Sequence, residues 1–183
     1  ILAADYADYA DFRKNVGRIW GMLNLVLGLA LLQTPNFQGI WKADSGADSD
    51  IQRFVEGGSI PYQSEAAARK ALANSADPLS QCYMPGVPRI MTMDYPFHIF
   101  QTPEHVAITF EWSQVFRMIY TDGKPPRHDG LDFWMGDSRG RWEGNSLVVE
   151  VTEHNDKTWF DAAGNFHSED LKVTERYTLV DAD

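Results

Sequence analysis

Cysteine is almost missing: Cys82 stands alone in 183 residues, which excludes an internal disulfide and any zinc site built from cysteines. Positive charge is also short. The 16 Lys and Arg face 26 Asp and Glu, and the net charge of -10 repels phosphate backbones, so no nucleic-acid partner is expected. The five histidines, His98, His105, His128, His154 and His167, never fall into a metal-binding spacing, and neither a G-x-S-x-G elbow nor a phosphate loop occurs. No metal and no cofactor is expected from these residues. What the chain has in quantity is apolar and aromatic surface, 44% and 13% of residues, enough to build a packed core.

One long apolar run stands out. Ile19 to Leu32 is interrupted only by Asn24, and as a helix from Val16 to Gln33 it rises about 27 Å against a hydrocarbon layer of roughly 30 Å. At about 100° per residue, Gly17, Gly21, Asn24 and Gly28 fall within about 60° of one another, a narrow small-residue face suited to close packing against another membrane helix. Arg18 and Trp20 suit the membrane interface, as do Tyr6, Tyr9 and Phe12 of the repeated Ala-Asp-aromatic triplet before the run. This segment reads as an anchor helix; an uncleaved secretory signal and a buried core helix are the alternatives. Arg13, Lys14 and Arg18 on its N-terminal side predict a cytoplasmic N-terminus in the bacterial inner membrane, with the rest in the periplasm. Two regions follow: an N-terminal segment with an anchor helix, 1–35, and a β-rich domain, 36–183.

After Phe37 the pattern changes to short aromatic and β-branched runs divided by Pro, Gly and Asp. "FQGIWKA", "FHIFQ", "HVAITFEW", "VFRMIY", "GRWEGNSLVVEVTEH" and "DLKVTERYTLV" read as strands, and "SEAAARKALANSAD" from Ser64 as one short helix. Seven to nine strands with one helix predict a mainly β fold, an antiparallel β-barrel or strongly curved sheet, with a β-sandwich as the alternative. In "HVAITFEW", His105, Thr109 and Glu111 share one face while Val106, Ile108, Phe110 and Trp112 share the other.

"GIW" resembles the G-x-W opening of lipocalin-like barrels, in which a first-strand Trp packs beneath a late-strand Arg; that resemblance implies a Trp41–Arg176 pair. The ordered set "CYMPGVPR", "PFHIFQTPEHVAITFE", "GRWEGNSLVVEV", "NDKTWFD" and "HSEDLKVTERY" resembles a large family of exported bacterial β-rich proteins, most of them uncharacterised. The resemblance implies export across the inner membrane and a β-rich fold, with no activity to carry over.

Three functions fit these residues. The first is a membrane-anchored accessory subunit that meets other membrane protein subunits through the N-terminal helix. The second is a lipocalin-like carrier of an apolar or aromatic small ligand, its cavity lined by Trp41, Phe110, Tyr120 and Trp142. The third is a hydrolase or lyase using His154 as acid or base with Glu150 or Asp161, which requires the imidazole and a carboxylate within hydrogen-bond reach.

Overall fold

The period-two runs form strands because each can bury one set of side chains and leave the other in water. The computed structural model describes residues 11–12, 34–44, 46–72, 77–126 and 130–180. Its strands are β1 (Asp11–Phe12), β2 (Gly39–Lys42), β3 (Pro96–Gln101), β4 (His105–Phe110), β5 (Phe116–Tyr120), β6 (Asp137–Glu143), β7 (Ser146–Thr152) and β8 (Val173–Leu179). They make one sheet in the order β1-β8-β7-β6-β5-β4-β3-β2, curled into a half-barrel. The fold is therefore mainly β with few helices, and the sheet has two edges instead of closing.

Short loops set most of the pairing. Gly144, at φ +60°, opens the two-residue turn that pairs Glu143 with Ser146 and starts the β6–β7 hairpin. An antiparallel sheet was the expectation, and the sheet is mixed: β5 and β6 run parallel through Ile119↔Ser138 and Tyr120↔Arg139. The reason is the connector between Tyr120 and Asp137, which is long enough to return the chain to the starting end of β5, as a tight hairpin is not. β1 also pairs in parallel, Asp11↔Thr178 and Phe12↔Leu179.

The concave face holds the core. Trp41, Phe97, Ile99, Val106, Ile108, Phe110, Ile119, Leu147, Val149, Val151, Val173 and Tyr177 all point inward. The excursion between β2 and β3 covers them, bringing Ile51, Val87, Ile90, Met91 and Met93 onto the same cluster. Arg89 pins that excursion, with Nε donating to Asp48 at 2.7 Å and Nη1 and Nη2 to Asp77 at 2.8 and 2.7 Å. The helix α1 (Ser64–Leu72) lies on the outside. Its cations fasten it: Arg69 stacks 4.6 Å over the Phe166 ring, and Lys70 donates to Asn165.

Among the described residues no helix is long and apolar enough to cross a membrane. Val16–Gln33, and with it Gly17, Arg18, Trp20, Gly21, Asn24 and Gly28, lies outside the described residues, as do Tyr6 and Tyr9.

Candidate functional site

The structure separates the residues expected to form a catalytic set. Glu150 stands on the convex face of β7, where it accepts from Arg141 at 2.7 Å. Asp161 is fully buried and serves the backbone, accepting from Ile51 N at 2.7 Å and from Asn165 N at 3.0 Å. His154 meets neither. It is 1% exposed, its ring centroid lies 5.8 Å from that of His167, and its Nε2 has no hydrogen-bond partner among the described residues. Burial first, then the neighbouring His167 and Arg117, push its pKa down to about 3. His167 is lowered too, chiefly by burial. Its Nδ1 donates to the Ser168 carbonyl at 2.9 Å, so Nε2 of the neutral ring accepts from the Thr158 hydroxyl at 2.7 Å. A sealed imidazole with so low a pKa does not work as a base near neutrality. Among the described residues no group of three or more His, Cys, Asp or Glu side chains is placed to hold a metal ion.

The residues expected to line one apolar cavity divide between two faces. Trp41 and Phe110 are buried on the concave side and Trp142 packs against the same core, its ring 5.7 Å from that of Phe37. Tyr120 points the opposite way, beneath the Arg139 guanidinium at 4.6 Å, because alternation along β5 gives the inward positions to Arg117 and Ile119. The apolar cavity that does touch Trp41 measures about 20 Å³, room for about one water molecule and far short of a ligand. The Trp41–Arg176 pairing fails for the same reason of phase. Arg176 lies on the convex face of β8, opposite Tyr177, and donates to Glu143 at 2.8 Å; Trp41 donates from Nε1 to the Phe37 carbonyl at 2.9 Å.

The arginine that the sheet does bury is Arg117. It is 1% exposed, donates from Nε and Nη2 to Ser138 Oγ at 3.1 and 3.0 Å and from Nη1 to Tyr177 at 3.2 Å, and makes a two-pronged pair with Glu175. Burial alone lowers its pKa, but Glu175 and Tyr177 outweigh that and hold it above the ordinary value. The pair is neutral as a unit and closed to solvent, so it fastens β5, β6 and β8 together. The sequence carried the signal, since "VFRMIY" puts Arg117 in phase with Val115 and Ile119.

The convex side of β2–β5 exposes several large apolar side chains. Across the convex face the register aligns Ile40, His98, Thr109 and Phe116 in one row and Phe100, Ala107 and Met118 in the next. Ile40 is 73% exposed, Phe116 66% and Phe100 44%, and the His98 and Phe100 rings sit 4.0 Å apart. Single exposed apolar residues are ordinary; here Ile40, Phe100 and Phe116 stand on β2, β3 and β5 of one face, with Ala107 and Thr109 of β4 between them. This face runs into a groove of about 250 Å³ between β5 and the segment 133–138, lined by Phe116, Met118, Tyr120, Phe133, Trp134 and Met135. Asp137 also lines it and is neutralised by Arg139, whose Nε and Nη2 donate to it at 3.0 and 2.8 Å.

No protein-family model, curated protein or solved structure matches the chain. The reading of the site rests on its geometry.

Proposed function

We propose that this chain is a non-catalytic accessory subunit whose β domain docks on a partner membrane protein through the convex face of β2–β5. The observation that carries the reading is the exposure of Ile40, Phe100 and Phe116 together on the convex face of β2–β5. Such a surface lowers free energy when covered, at about 25 cal/mol per Å² of apolar area removed from water. The proposal keeps the Val16–Gln33 segment as the membrane-facing element and the β domain on the periplasmic side, in line with the resemblance to exported proteins. It gives up the expected cytoplasmic N-terminus, because Asp11–Phe12 pair with Thr178–Leu179 of the same sheet and that pairing favours both flanks of the segment on the side of the β domain. The curled half-barrel is compatible with a lipocalin-like architecture. The small cavity beside Trp41 and the separation of His154 from Glu150 and Asp161 favour this reading over the carrier and the enzyme.

The test is extraction of the native protein in mild detergent, followed by purification. A partner membrane protein copurifies in constant ratio with the wild type and is lost from the folded I40S/F100S/F116S variant. Retention by that variant contradicts the reading. Replacing Gly21 and Gly28 by Leu tests the contribution of the N-terminal segment in the same assay.

A further inference from the structure

The groove beside β5 has an uncommon feature for a hollow inside a sheet: backbone groups line it. Phe110 N donates to Val115 O at 2.9 Å, which sets the phase of the β4–β5 ladder. In that phase Val115, Arg117 and Ile119 turn their N–H and C=O toward β4, and Phe116 and Met118 turn theirs toward β6. β6 does not meet them. It joins β5 only at Ile119↔Ser138 and Tyr120↔Arg139, and before that point the turn Phe133–Gly136 carries the chain aside. Gly136 takes φ +65° in that turn, and Phe133 N donates to Glu153 O at 2.8 Å, so the far wall of the groove is tied to the end of β7. Among the described residues, Phe116 N–H, Phe116 C=O and Met118 N–H therefore have no partner on this side.

We propose that this groove receives an extended, apolar segment of the partner protein by strand addition to β5, with a basic residue of that segment beside Glu111. One residue of the incoming strand accepts from Phe116 N–H and donates to Phe116 C=O, the pattern of an ordinary sheet. That residue and the one two positions away, opposite Met118, place apolar side chains beside Phe116 and Met118 and toward Trp134 and Met135. Charge narrows the occupant further. The two charged residues that line the groove, Asp137 and Arg117, are paired with Arg139 and Glu175, which suits uncharged side chains, while Lys42 and Lys124 are each held by an aspartate, Asp94 and Asp122. Glu111, at the turn leading into β5, is exposed and its carboxylate is in no ion pair among the described residues. Exposed backbone on an interior strand is otherwise an invitation to mispairing, so a physiological strand that covers it resolves a liability as well as making a contact.

This inference deepens the docking function and rests on it. The probe is the blocked peptide acetyl-Thr-Val-Phe-Val-Thr-Lys-amide, whose C-terminal lysine lies toward Glu111 when it pairs antiparallel to β5, titrated into the full chain and followed by amide shifts and hydrogen exchange. Saturable shifts are expected at Phe116, Met118 and the Trp134 indole, with exchange of the Phe116 and Met118 amides slowed about tenfold at saturation. The same peptide with its two valines N-methylated loses binding by about tenfold or more, and Trp134→Phe, which keeps the wall, weakens it less than Trp134→Ala. Glu111→Gln weakens the lysine peptide and leaves an alanine-for-lysine analogue unchanged. Absent or non-saturable shifts, shifts centred elsewhere, or equal binding by the N-methylated peptide each overturn the inference. Peptide binding is scored apart from copurification, so a failed groove with an intact partner contact, or the reverse, tells the two proposals apart.

Discussion

Burying His154 uncharged makes stability depend on pH in a way that can be worked out from the structure. In the unfolded chain its imidazole titrates at the ordinary 6.5, and in the folded protein the value is about 3. Below pH 6.5 the unfolded state binds a proton that the folded state refuses, so stability is complete above 6.5 and falls as pH drops toward 3. Between pH 7.5 and pH 5.0 the linkage integral for that one group is about 2 kcal/mol, or about 1.4 kcal/mol per pH unit once well below 6.5. His167 acts in the same direction, since its pKa is also lowered. Carboxylates held below their usual range, such as Asp77 beside Arg89, lose their contribution only at lower pH. The assay is urea unfolding at intervals from pH 7.5 to 5.0 for the wild type and for His154→Gln, which does not titrate. The wild type is expected to lose about 2 kcal/mol more than the variant across that range. Equal losses by the two proteins refute the reasoning, because they mean that the ring is hydrated or already charged in the folded state.

Three further substitutions probe the frame that holds the faces. Glu175→Ala leaves Arg117 charged and unpaired inside the half-barrel and is expected to cost about 3–5 kcal/mol in urea unfolding, whereas R117M/E175M, which removes both charges, costs far less. Asp161→Ala removes the acceptor of the Ile51 and Asn165 amides and is expected to cost about 2–3 kcal/mol, with hydrogen exchange at both amides accelerating. Gly140→Ala brings a methyl group to 2.9 Å from Ile119 Cγ2 and 3.1 Å from Leu147 Cδ1, so a loss of about 1–3 kcal/mol is expected in the same unfolding measurement.

Much of the sheet was legible because alternation is a local property. The two faces of "HVAITFEW" come out as read through Phe110, with Val106, Ile108 and Phe110 buried in the core, while the strand ends there and Trp112 falls in a short 3-10 turn, only partly buried; the helix begins at Ser64. What failed was non-local or hung on one backbone angle. Carrying the alternation of "SLVVEVTEH" through to its end puts His154 on the same face as Glu150, yet β7 stops at Thr152 and Glu153 takes φ +56°, which turns His154 inward and leaves Glu150 outside. No pattern of residue types announces that reversal. The parallel step from β5 to β6 depends on where a long connector goes, and a run of Gly, Pro and Asp does not specify its destination. Arg176 and Tyr120 were misplaced by attending to residue type over phase, since each alternates away from the core on its own strand. The groove was invisible for a different reason: it consists of what two strands fail to pair, and sequence shows strands, not the gap between them.

The docking claim is tested most directly by site-specific photo-crosslinking in the native membrane. A photoreactive phenylalanine analogue in place of Phe116, on the convex face, is predicted to give one discrete adduct with a membrane protein, and the same analogue in place of Asp170, an exposed residue away from that face, to give none. No adduct from Phe116, or the same adducts from both positions, contradicts the account.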